Sequence, residues 1–113
     1  MNRAWYCFCY LIFRPLFFLI HPVFRTRGRE RVPEGACLLC SNHSGMGDPF
    51  WLIFALHPNP MFRSMAKIEL MKTPVLGAFL RSMGVFGVNR GHHDMAAVHQ
   101  AAEILKSGQK LLL

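Results

Sequence analysis

The stretch 36-ACLLCSNHSGMGDPFWLIFAL-56 decides how this chain folds. Its first six residues, 36–41, are an apolar run that reads as a short buried strand. Small and flexible residues follow, and then an apolar segment over 48–56 that reads as a helix, since Pro49 is tolerated in a first turn. Downstream, His57-Pro58-Asn59-Pro60 breaks the helix and 61–65 predicts a second strand. Two short helices follow, over 66–72 and 74–83, the second opened by Thr73-Pro74. A strand is expected over 84–88. Residues 92–107 predict an amphipathic helix, with Val98, Ala101, Ala102 and Leu105 on one face and Gly108 as its stop. Upstream, 25–29 has the pattern of a short strand, and Val32-Pro33-Glu34-Gly35 that of a turn. Strands and helices alternate, so the fold class is α/β, a mostly parallel sheet flanked by helices. No internal repeat or low-complexity tract interrupts it.

The last residues, 109-QKLLL-113, read as the start of another buried strand. Chain termini usually lie at the surface, so the expectation is a domain whose C-terminal part is missing. The chain divides into a hydrophobic segment over 1–24 and a domain over 25–113.

At 113 residues there is room for one small domain. Hydrophobic residues make up 52% and charged residues 17%, an apolar balance for a soluble domain. The formal net charge of +7 suits an anionic partner. Arg3, Arg14, Arg25, Arg27, Arg29 and Arg31 stand against Glu30 alone in the first 31 residues. Basic charge flanking a Phe- and Leu-rich segment favours a membrane surface over nucleic acid, and no nucleic-acid motif is present. Cys37 and Cys40 have the spacing of a redox or zinc pair. Their apolar setting and the lack of a second such pair favour buried, reduced cysteines instead. That reading implies a reducing, cytoplasmic environment.

Residues 4–20, AWYCFCYLIFRPLFFLI, carry Arg14-Pro15 at mid-segment. The segment is short and interrupted for a transmembrane helix, an arginine at the bilayer centre being costly and Pro15 removing a helix hydrogen bond. No small-residue cleavage site follows to make it a signal peptide. The expectation is an interfacial or re-entrant helix pair bent at Pro15, with Trp5, Tyr6 and Tyr10 near the headgroups. A helix packed on the domain itself is the alternative.

The loop between the first strand and helix holds the chemistry. His43 is a natural general base at neutral pH, and it works best when a carboxylate orients it and stabilises its imidazolium form. Ser44, Gly45, Met46 and Gly47 allow a tight loop that returns Asp48 to His43. Asp48 is also placed to cap the following helix, and His43 alone could be a structural histidine. Neither Ser41 nor Ser44 sits in a nucleophile elbow. A base without a protein nucleophile points to activation of a substrate hydroxyl and direct transfer.

N-H-x-x-x-x-D, after an apolar strand and a P-x-G turn, resembles the first block of the glycerolipid acyltransferases. Residues 65-MAKIELMKTPVLGAFLRSMGVFGVNRG-91 resemble the stretch that follows in that family, and Gly84 to Arg90 is similar to its second block, G-x-x-x-x-x-R. LKSGQKLLL resembles the run into a third block. The resemblance implies that His43 deprotonates the hydroxyl of a lysophospholipid acceptor while Asp48 orients it. The oxygen would attack the thioester of acyl-CoA or acyl-carrier protein, the co-substrate. Arg90 would bind the acceptor phosphate and Lys67 would be a second contact; solvated surface charge is the alternative for both. No metal or other cofactor is implied, and His92, His93 and His99 read as surface residues. Asn89 and Gly87 depart from the family's usual residues. Two readings from other classes stand beside this one: a non-catalytic membrane-binding fragment, and a lipid hydrolase with Ser41 or Ser44 as nucleophile.

Overall fold

Asn2 starts the first helix, its side-chain oxygen accepting the N–H groups of Ala4 at 3.0 Å and Trp5 at 3.3 Å. This helix, α1, runs Arg3–Ile20 without a break. The computed structural model of the chain describes residues 2–42, 44, 45, 47–56 and 61–113. A 3-10 turn, Arg29–Arg31, then leads to β1 (Leu38–Leu39), α2 (Asp48–Ala55), β2 (Arg63–Lys67), α3 (Ile68–Met71), α4 (Pro74–Ser82), β3 (Phe86–Val88), α5 (Met95–Lys106) and β4 (Leu111–Leu112).

The four strands form one parallel sheet in the order β1-β4-β2-β3, so the expected α/β architecture is present. The chain crosses from β1 to β2 and on to β3, then reverses and inserts β4 between β1 and β2. Parallel neighbours need such helical crossovers. Leu38 pairs with Leu111, Arg63 with Leu111, and Met65 with Phe86. On one face, α5 lays Ala97, Ala101, Ile104 and Leu105 against Met65, Phe86, Val88 and Leu111. Each fully buried Leu, Ile or Phe stabilises by about 1.5–3 kcal/mol, so this cluster anchors the inner strands. Ser64 and Ala66 alternate with Met65 and line an apolar cavity beneath α1, α2 and α4.

Local chemistry explains the helix ends. Thr73 caps α4 by accepting the N–H of Gly77 at 3.1 Å, and Pro74 follows at the first helical position. Gly108, at φ 83°, closes α5 with the left-handed residue such an end requires. Gly77 lies where α4 crosses the end of α3: a Cβ there would sit 2.2 Å from the Met71 carbonyl oxygen. Gly87 faces Ile68 and Met71, whose atoms would lie 3.3 and 3.4 Å from an added Cβ. That close approach of α3 leaves little room for a bulkier residue at this position.

Several expectations need correction. The N-terminal segment is one helix through Pro15, not a bent pair. Its partners compensate for the missing N–H: Phe13 meets Phe79 edge-on at 6.3 Å, and Phe17 stacks on Phe54 at 4.2 Å. Tyr6, Cys9 and Tyr10 form a buried stripe against the domain, so the two tyrosines do not face outward; Trp5 is exposed and donates its Nε1–H to Ser82 Oγ at 2.9 Å. No strand forms over 25–29. Gly28 at φ 81° turns the chain into the 3-10 segment instead. The run 36–41 contributes only a two-residue edge strand, with Leu38 exposed. Helix α5 starts at Met95 rather than His92, because Asp94 is its cap. The four cysteines are unbridged, Cys9 buried and Cys7 and Cys40 exposed. The expected break at 57–60 lies outside the described residues.

Candidate active site

The strands end together at one edge of the sheet, where open α/β folds bind their ligands. Ser41 lies just beyond β1, Lys67 ends β2, Arg90 lies two residues past β3, and Leu113 follows β4. A depression of about 280 Å³ opens there, with Ser41, Asp48, Ser64, Val88, Arg90 and Leu113 in its wall.

Asp48 is the first residue of α2. Its carboxylate turns back rather than capping the helix ahead. Oδ2 accepts the backbone N–H of Ser44 at 2.6 Å and of Gly45 at 2.9 Å. The Asp48 N–H in turn donates to the Gly45 carbonyl at 3.2 Å. One carboxylate thus ties the loop that carries the motif to the start of α2. Charge-assisted bonds of this kind are the stronger ones. His43 lies outside the described residues.

Arg90 is exposed, in the same wall as Asp48. Its loop is held by Asp94, which the amphipathic pattern over 92–107 would place inside a helix. Asp94 Oδ2 accepts the N–H of Asn89 at 2.9 Å, and Oδ1 accepts the N–H of Ala97 at 3.0 Å. These backbone donors, Asn89 first, hold the Asp94 carboxyl below its ordinary range. One aspartate therefore fixes both ends of the turn that presents Arg90. An aspartate three residues ahead of Ala97 in a helix-forming run was the available signal.

Lys67 shares the strand-end edge, pairing in register with Val88, but is absent from the wall of the depression. It is exposed, with Nζ 4.0 Å from Glu69 Oε2. Asp48 and Arg90 thus line one depression, and Lys67 lies outside its lining. Among the described residues, no group of three or more His, Cys, Asp or Glu could hold a metal ion.

Pro49, Ser64 and Met65 line both this depression and a second cavity of about 200 Å³. The second is almost wholly apolar, walled by Tyr6, Cys9, Phe13, Phe54, Phe79 and their neighbours. A depression that holds a cation and a carboxylate among apolar neighbours therefore adjoins an apolar chamber, and part of the chamber's wall is the inner face of α1.

Fold and site define a wound parallel α/β protein with a depression holding Asp48 and Arg90 at the carboxyl ends of the strands. The chain belongs to the acyltransferase family: the family model described as Acyltransferase matches residues 23–113. It is 29% identical over 76 residues to the 1-acyl-sn-glycerol-3-phosphate acyltransferase of Streptococcus pneumoniae, an overlap of 67% of this chain and 28% of that protein. The chain thus spans little more than a quarter of the length of the curated relative it matches. No solved structure matches. The resemblance to glycerolipid acyltransferases drawn from the motif blocks is borne out at the level of the family.

Proposed function

We propose that the protein transfers a fatty acyl group from acyl-CoA or acyl-carrier protein to the hydroxyl of a lysophospholipid, with 1-acyl-sn-glycerol-3-phosphate as acceptor and phosphatidate as product. The observation that carries this reading is the shared wall. Asp48 and Arg90 line one depression, and that depression borders an apolar cavity through Pro49, Ser64 and Met65. Such a pair of compartments suits a phosphate headgroup in the first and an acyl chain in the second.

In this mechanism His43 accepts the proton of the acceptor hydroxyl, and the freed oxygen attacks the thioester carbonyl. The carbon–sulfur bond breaks, the thiolate leaves, and the proton passes from His43 to the sulfur. Asp48 orients the imidazole and stabilises its charged form, while its bonds to Ser44 and Gly45 hold the loop. Arg90 grips the acceptor phosphate through its planar guanidinium, and Lys67 adds a second cation from the end of β2. The acyl group arrives already activated as a thioester, so the base and the two cations suffice and no metal or further cofactor is needed.

We place the protein at the cytoplasmic face of a membrane. Helix α1 is long and apolar enough, by length and composition, to cross a bilayer. Its inner stripe nevertheless packs along the domain, while Phe8, Leu11, Ile12, Leu16, Leu19 and Ile20 are exposed. A helix engaged with α2 and α4 along its length fits the interface better than a span. This exposed face also favours the second reading, membrane binding without catalysis. Thiol release from acyl-CoA and acyl-carrier protein, measured with lysophosphatidate, separates the two. Acyl transfer requires release that His43→Ala abolishes, whereas a membrane binder associates with vesicles and releases none.

A further inference from the structure

At the opposite edge of the sheet, where the strands begin, lies a third depression of about 310 Å³. Arg3, Glu34, Gln109 and Lys110 supply its polar wall. Lys110 is the unusual member, a lysine only 5% exposed. Its Nζ donates to the Glu34 carbonyl oxygen at 2.8 Å. An ammonium group has three donors, and a carbonyl is no counter-charge. Among the described residues no carboxylate lies within 4.0 Å of Lys110 or Arg3. Burying positive charge without an opposite charge is costly. The arrangement therefore favours an anion beside Lys110 and Arg3.

Geometry also indicates where that anion comes from. Arg3 opens α1, and the helix's exposed apolar residues begin beside it at Trp5 and Phe8. A cation pair at the margin of an apolar surface suits the phosphate of a lipid headgroup. This edge is remote in the topology from the strand ends that carry Asp48 and Arg90, and nothing in the proposed transfer uses it.

We propose that Arg3 and Lys110 form a second anion site that takes a phosphate group, either the phosphodiester of an anionic lipid or a free phosphate monoester. The test compares the full chain with Lys110→Met, Arg3→Gln and Arg27→Gln, the last an exposed arginine outside the depression. Binding is measured to phosphatidylcholine vesicles with and without phosphatidylglycerol. Thermal protection by glycerol 3-phosphate is measured at constant ionic strength. The expected result is a loss of about tenfold or more in binding to phosphatidylglycerol vesicles for Lys110→Met and Arg3→Gln, with phosphatidylcholine binding unchanged and a smaller loss for Arg27→Gln, near the roughly fivefold of one surface charge. Saturable protection by glycerol 3-phosphate that both variants lose assigns the site to phosphate groups generally; its absence, with the vesicle effect kept, assigns it to lipid. If Lys110→Met does not fold by circular dichroism, the exposed Arg3→Gln carries the test alone. Variants that match the wild type in both arms, or that lose no more than Arg27→Gln, overturn the proposal.

Discussion

Replacing Asp48 separates two roles that the structure joins in one carboxylate. Oδ2 accepts two backbone N–H groups, at 2.6 and 2.9 Å. A hydrogen bond to a charged group contributes about 1.5–3 kcal/mol. Here the two share one oxygen on a half-buried side chain, so their combined contribution falls nearer the single-bond range, about 2–3 kcal/mol. Asp48→Ala should raise the opening of the loop by roughly 30- to 150-fold at about 1.4 kcal/mol per tenfold, read as faster hydrogen exchange at the Ser44 and Gly45 amides. Asp48→Asn keeps an oxygen that can accept both donors through neutral bonds and should cost only about 1 kcal/mol. Acyl transfer behaves differently. If the carboxylate also steadies a charged His43, both variants lose activity, Asn by as much as roughly 10⁴-fold, the scale seen when an orienting carboxylate is made neutral in a Ser-His-Asp triad. The assay pair is amide exchange and thiol release on the same samples. Unchanged exchange in Asp48→Ala refutes the loop-tying argument, and near-normal turnover in Asp48→Asn refutes the orienting role.

Further expectations follow from the same geometry. Arg90→Ala should weaken lysophosphatidate use by roughly 10- to 100-fold, matching the loss of one charged hydrogen-bonding group, with Arg90→Lys restoring only part; equal kinetics in all three would remove Arg90 from the acceptor site. Gly77→Ala sets a Cβ against the Met71 backbone and should cost about 1–3 kcal/mol, lowering the melting temperature by several degrees. Gly87→Ala meets the γ carbons of Ile68 and Met71 and one Cα, all at 3.3 Å or more, so it should cost less; the reverse order would contradict the packing. Asp94 has its folded pKa depressed by the amides of Asn89 and Ala97. Its stabilising effect is therefore present above the ordinary value of 3.8 and lost as pH falls through the folded value. The melting difference between wild type and Asp94→Ala should be full at pH 6 and fade below about pH 4. Leu16→Glu and Leu19→Glu, on the exposed face of α1, should abolish vesicle binding while leaving the circular dichroism spectrum intact.

Much of this was legible in the residues. Glycine, proline and cap residues punctuate the chain, and the expected elements downstream of Gly35 recur within a few positions. The α/β class followed from their alternation alone. What failed was non-local. Pro15 reads as a bend, yet contacts from Phe54 and Phe79, far along the chain, keep α1 continuous. The run 36–41 is apolar enough for a buried strand but falls at the sheet edge, because β4 takes the inner place. Tyr6 and Tyr10 look like interface anchors until α1 is seen to press them on the domain. At the site, Asp48 and Arg90 were legible through their motif blocks. Asp94 was hidden in an amphipathic pattern that runs smoothly past it. Lys110 carried no signal at all, since its partner, the Glu34 carbonyl, lies 76 residues away in sequence.

The most direct measurement is thiol release from acyl-CoA and acyl-carrier protein with lysophosphatidate present, comparing the wild type with His43→Ala. A His43 base requires acceptor-dependent release and phosphatidate formation by the wild type, with both lost in the variant. Equal release by the two proteins would contradict it, as would vesicle binding with no release from any acyl donor.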